Sequence, residues 1–179
     1  EDVAHGCAQE PRYGGQAPSP YSVAQHSVYV SERAEQLATL APFTRDARSP
    51  NMVALWGLLH DASEGIGLKD IPQPLKLFMP EYLAIEREVM RVVCEKFGLP
   101  AEQPAEVTQA DGEVFSIEAR DLFPASSRLA CEASRPATWK GIVQPPLAYT
   151  VLPWSFEVAK SRFLRRFRDL QARLAGGGR

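Results

Sequence analysis

Cysteine is scarce in this chain: Cys7, Cys94 and Cys131 lie far apart and form no C-x-x-C pair. That argues against a disulfide framework or a cysteine zinc site, and it suits a reducing cytoplasm. Long hydrophobic runs are missing as well. The longest, 53–59, has seven residues, whereas a membrane span needs about 20, so it reads as a buried helix segment. A basic excess is also absent. Twenty Lys+Arg face 22 Asp+Glu, a formal net charge of −2, which disfavours duplex nucleic acid as a partner. The opening Glu-Asp-Val-Ala-His is acidic and lacks the charged-then-apolar layout of a signal peptide. No repeat of fixed period recurs.

What is present fits a single all-α domain of 179 residues, long enough to bury its own core. The Gly- and Pro-rich segment EPRYGGQAPSP (10–20) reads as a loop. A helix follows over about 20–40, with Val23, Val30, Ala34 and Leu37 on one face. Asn51 is placed to cap a central helix, MVALWGLLHDASEGI, apolar nearly all round. Pro72 and Pro74 interrupt regular helix. Another helix spans about 81–97, with Leu83, Ile85, Val89, Val92 and Val93 as its buried stripe and Gly98 as its stop. A helix of mixed polarity covers 105–123. The segment 126–153 reads as an irregular Pro-rich excursion, 154–175 as a closing amphipathic helix, and 176–179 as a flexible tail. The basic side chains Arg162, Arg165, Arg166 and Arg168 read as a solvated helix face. No strand alternation appears.

The chemistry concentrates at His60-Asp61, set in the most hydrophobic helix. A buried aspartate costs several kcal/mol unless a cation or hydrogen bonds offset it, and His60 beside it offers a neutral nitrogen. Glu64, one helical turn on, can reach a water without ligating. Two more ligands must come from elsewhere. His26, in SVAQHSVYV, and Asp111, in VTQADGEVF, supply a second nitrogen and a second carboxylate. Such a set suits a divalent transition metal: Co, Mn, Zn, Ni or Fe. Glu118, seven residues after Asp111, shares its face and is expected in an ion pair beside the site or at the surface.

The pattern H…HD…D, with HDASE followed by KDIPQPLK, resembles the HD-domain metal-dependent phosphohydrolases. It is most similar to their compact branch of bacterial 5′-deoxynucleotidases and phage deoxynucleoside triphosphohydrolases. The similarity runs over about 12–122. It implies a helical HD-type bundle in which His26, His60, Asp61 and Asp111 hold the metal. It also implies that Glu64 positions or deprotonates the attacking water and that Asp70 lies near the leaving group or sugar. The substrate-contacting Arg-Trp pair of the bacterial enzymes matches Arg12-Tyr13 here. Lys76 closes the D-I-P-x-P-x-K match and faces phosphate, with Lys69 and Mg on the phosphates as further charge partners. Gln25 stands where the family often has Glu.

The implied activity is hydrolysis of a deoxynucleotide in the bacterial or phage-infected cytoplasm. The first expectation is a dATP-type triphosphohydrolase releasing tripolyphosphate. A 5′-deoxynucleotidase acting on dNMPs is the alternative, and a nucleotide-binding sensor the non-enzymatic one. The resemblance also implies a homo-oligomer, dimer or hexamer. A phosphodiesterase would want a second His pair for a two-metal site, and the sequence offers none.

Overall fold

The stripe expected on the first long helix is the axis of the molecule. Val23, Val30 and Ala34 of α2 (Val23–Leu40) are fully buried, because the 3.6-residue period brings them to one face. The computed structural model describes residues 1–40, 49–124 and 150–176, and these are all-helical apart from turns and one isolated bridge between Pro11 and Ser22. Around α2 pack α1 (Asp2–Gln9), α3 (Pro50–Leu59), α6 (Ala105–Leu122) and α7 (Phe156–Gly176). α3, whose residues 53–59 are all buried, fills the centre, as its nearly continuous apolarity requires. Ser31 Oγ donates to Ala54 O at 2.7 Å and pins α2 to α3. No described helix is long and apolar enough to cross a membrane.

The structure departs from the sequence expectations in informative places. The central helix ends at Leu59, not Ile66. His60 is its C-cap, the next residues turn, and Glu64–Ile66 form one 3₁₀ turn. Ser49, not Asn51, is the N-cap residue, with Pro50 at the first helical position, where its missing N–H costs nothing. The same logic corrects the reading of Pro72 and Pro74. They sit at the start of a short helix, α4 (Gln73–Lys76), rather than excluding one. Residues 2–9, unassigned by pattern, form α1, and the loop reading begins correctly only after it.

α5 (Pro80–Phe97) ends at Gly98 in the left-handed region, φ 66°, as expected. Its apolar stripe, however, is not buried: only Val93 and Cys94 are, while Ile85 and Val92 are half exposed. The C-terminal end of α5 alone meets the bundle, with Phe97 edge-on to Phe167 and Trp56 Nε1 donating to Pro100 O just beyond it. On α7, Phe163 and Leu170 are buried. Arg166 is not solvated as expected: it donates to Ser31 and pairs with Glu35 at 2.6 Å. Most of the Pro-rich excursion, and the tail beyond Gly176, lie outside the described residues.

Backbones approach most closely where α1 meets the Glu64–Ile66 turn. A Cβ on Gly6 would stand 1.7 Å from Gly65 O, and one on Gly65 would stand 2.4 Å from Cys7 Sγ. Two glycines facing each other are what lets α1 brace the turn that carries Glu64.

Candidate metal centre

Three elements converge on one point. α2 brings His26, the end of α3 and its turn bring His60 and Asp61, and α6 brings Asp111. His26 Nε2 lies 3.1 Å from Asp111 Oδ1 and 3.8 Å from Asp61 Oδ2. His60 Nε2 lies 3.1 Å from Asp61 Oδ2 and 3.9 Å from Asp111 Oδ1. The sequence placed all four residues in one site, and the fold brings them together. Asp61 is not sunk among leucines, though. Its side chain is 21% exposed at the cleft edge, because the helix has already ended.

Each imidazole is held from behind. His60 Nδ1 lies 2.8 Å from Gly57 O, an oxygen that can only accept, so Nδ1 carries the proton. His26 Nδ1 lies 2.7 Å from Glu118 Oε1. Both rings in their neutral form therefore turn an Nε2 lone pair into the site. Both Nε2 atoms are buried with no formed hydrogen bond, and carboxylate oxygens of Asp111 and Asp61 stand 3.1 Å from them. One ligand atom each from His26, His60 and Asp111 falls within a 4.8 Å group, and Asp61 is within ion-pair distance of both histidines. Two ring nitrogens and the Asp111 carboxylate gathered in this way, with Asp61 beside them, are a donor set that a divalent transition metal could use.

Asp61, Asp111, Glu64 and Glu118 gather around Arg12 and Lys76, and with no cation present this crowding is relieved by protonating His26 and Glu64. Burial and Arg12 oppose charging His26, but Glu118 and Asp111 outweigh them and raise its pKa to about 9. Burial opposes ionising Asp61, yet both histidines and Arg12 hold it well below the usual carboxylate range. Glu118 is likewise buried and still ionised, its pKa brought down to about 2 by His26 and Arg12.

Glu64 faces this cluster from the 3₁₀ turn. Burial pushes its pKa well above normal, and the nearby Asp61 and Asp70 carboxylates add to the rise. Its Oε2 has no partner, while Oε1 lies 3.4 Å from Lys76 Nζ, which also meets Glu86 at 2.7 Å. Asp70 accepts from the Tyr13 N–H at 2.8 Å and donates its own backbone N–H to Glu10. Lys69 pairs with Glu10 from an exposed position. Arg12 Nη1 is 3.3 Å from Asp61 and its Nε 3.6 Å from Glu118, so carboxylates already hold the guanidinium. The Tyr13 hydroxyl donates to Glu118 at 2.5 Å, and Tyr13 itself adopts φ 60°.

A cleft of about 520 Å³ opens from His60, Asp61 and Asp111 along α5, lined by Lys76, Arg87 and Arg91 on its polar side and by Trp56, Met90 and Leu99 on its apolar side. Of the three substrate residues expected from the sequence, Lys76 lines this cleft; Arg12 and Tyr13 do not. Sequence reasoning missed Glu86, Glu10, Tyr21 and Arg87. None belongs to a spaced motif, and each reaches the site only through tertiary packing. The role of Gln25 also emerges here. Its Nε2 donates to Leu152 O and its Oε1 accepts from the Trp154 N–H, both at 2.8 Å, which ties the chain entering α7 to the helix that bears His26. A carboxylate could not make both bonds.

No family model matches the chain. It is 31% identical over 169 residues to the uncharacterized protein YfdR of Escherichia coli, covering 94% of this chain and 82% of YfdR. The chain belongs to the YfdR family. A second relative, the uncharacterized protein RCAP_rcc00048 of Rhodobacter capsulatus, is 34% identical over 126 residues. That match covers 67% of the chain and 58% of the relative. Neither name states an activity.

Proposed function

We propose that this chain is an HD-type, divalent-metal-dependent phosphohydrolase of deoxynucleotides, with His26, His60, Asp61 and Asp111 holding the metal. The observation that carries the reading is the pair of buried, unpartnered Nε2 atoms facing two carboxylates. A divalent ion bound there lowers the pKa of a water and polarises a phosphate oxygen. Glu64, with one oxygen unpartnered and the other steadied by Lys76, aligns the attacking water and takes its proton. Lys76 sits where it can exchange a carboxylate partner for a phosphate oxygen. Asp70 orders the Arg12–Tyr13 turn through the Tyr13 N–H.

Lys76 and Arg87 line the same cleft and could meet more than one phosphate, which supports the triphosphate reading, while Arg91 is held by Glu88 and Glu95. Among the described residues Arg87 has no hydrogen bond or ion pair, which leaves it free for a phosphate. The apolar wall of Trp56, Met90 and Leu99 suits a base and deoxyribose.

Elemental analysis of the purified protein, followed by incubation of metal-loaded chain with dNTP and dNMP panels, tests the reading. About one equivalent of transition metal and tripolyphosphate release from a dNTP are expected. Orthophosphate from dNMPs instead assigns a 5′-deoxynucleotidase. Nucleotide binding that gives no product with Mn, Co, Zn, Ni, Fe or Mg assigns a sensor and overturns the enzyme. In a His60→Ala variant, metal content and turnover fall together.

A further inference from the structure

Glu118 has no exposure to solvent, and a carboxylate in that position is costly unless its oxygens are satisfied. Here they are satisfied by three different parts of the chain. Oε1 lies 2.7 Å from both His26 Nδ1 and the Tyr21 hydroxyl. Oε2 takes the Tyr13 hydroxyl at 2.5 Å and faces Arg12 Nε at 3.6 Å. The helix α6 that carries Glu118 also carries Asp111, two turns earlier. One helix therefore supplies a direct ligand and the group that grips another ligand from behind.

We infer that Glu118 is the positioning residue of the metal centre: it locks the His26 ring in the tautomer and orientation that aim Nε2 at Asp61 and Asp111, and anchors the Arg12–Tyr13 turn beside it. The inference rests on the metal site proposed above. A carboxylate accepting from Nδ1–H fixes the proton on that nitrogen, makes the ring a better donor through Nε2, and removes its rotational freedom. The hydroxyls of Tyr13 and Tyr21 fill the remaining acceptor sites, which keeps Glu118 from turning toward the ion itself. A plain structural ion pair with Arg12 would not need the 2.7 Å contact to a ligand ring.

A buried glutamate that touches no ligand serves as the control. Glu113, also on α6, pairs with Arg33 and accepts from Gln109. Zinc or cobalt affinity is measured by chelator competition on wild type, Glu118→Gln and Glu113→Gln, with unfolding followed in urea. Glu118→Gln should weaken metal binding by about 10- to 100-fold, and Glu113→Gln should leave it within twofold of wild type while costing stability. Equal metal affinity in Glu118→Gln and wild type overturns the inference, as does equal weakening in both variants. Absence of stoichiometric metal in wild type overturns the metal site and the inference together, so the two failures are distinguishable. If Glu118→Gln does not fold, nitrogen-15 NMR of zinc-loaded wild type decides. A slowly exchanging His26 Nδ1–H supports the role, and an Nδ1 that exchanges freely overturns it.

Discussion

His26 and His60 come from different helices, yet their ring centroids stand 5.2 Å apart with planes inclined at 49°. Each ring is gripped at Nδ1, by Glu118 and by the Gly57 carbonyl respectively, and each leaves Nε2 unsatisfied. Ordinary core histidines find partners for both nitrogens. Two with Nε2 unsatisfied at the same place, facing carboxylates, are the observation on which the proposed metal site rests.

Metal uptake should depend on pH in a definite direction. With its pKa raised to about 9, His26 carries a proton at neutral pH in the metal-free chain, and that proton must leave before Nε2 can ligate. Chelator-buffered titrations should show affinity rising about tenfold per pH unit from pH 7 toward 9 and levelling above it. The metal-free protein should behave oppositely. A raised folded-state pKa contributes stability that is complete below pH 6.5 and lost as pH climbs through about 9. Urea midpoints of chelator-treated protein should therefore fall over that window. A flat affinity profile would remove His26 from the ligand set.

Turnover and metal binding should separate at Glu64. Glu64→Gln keeps the shape and removes the base, so kcat should fall by about 10²- to 10⁴-fold with metal content unchanged. Lys76→Met removes the cation that steadies Glu64 and lines the cleft. It should lower kcat and raise KM for the triphosphate together. Steady-state kinetics on protein of matched metal content reads both.

At the α1 brace, Gly6→Ala would place a methyl 1.7 Å from Gly65 O, against backbone that cannot yield without moving the Glu64 turn. A loss of about 3 kcal/mol or more is expected, at the upper end of overpacking. Gly98→Ala meets nothing within 4 Å and carries only the left-handed strain, about 1 kcal/mol. Equilibrium urea unfolding compares them. Similar losses in the two variants would contradict the close approach seen between α1 and the turn.

Gln25→Glu should destabilise the junction between α2 and α7. The carboxylate can still accept from the Trp154 N–H but faces the Leu152 carbonyl with no proton to donate, an unsatisfied contact worth about 1–3 kcal/mol. Thermal unfolding at neutral pH measures it. The defect should shrink at acid pH, where the carboxyl is protonated and can donate.

Much of the fold was legible because helices announce themselves locally. Val23, Val30 and Ala34 show a 3.6 period, and Gly98 marks a stop, so α2 and the end of α5 could be placed from residues alone. The end of α3 could not be, because MVALWGLLHDASEGI has helix-forming composition throughout. Beyond Leu59 the chain turns into the 3₁₀ segment whose Gly65 packs against Gly6 and Cys7 of α1, a long-range contact that no local pattern reports. The α5 stripe misled for the converse reason: periodicity reports an amphipathic helix and not whether anything packs on it.

By itself the sequence determined that the chain is helical, and it singled out His26, His60, Asp61 and Asp111 as candidate ligands, because residue chemistry and helical period are local properties. Only the tertiary structure decided which nitrogen of each ring is free, that Glu118 and Gly57 hold the rings from behind, and that Gln25 serves as a clamp. Those outcomes depend on atoms far apart in the chain meeting within hydrogen-bond distance, a condition set by packing and invisible to any local pattern.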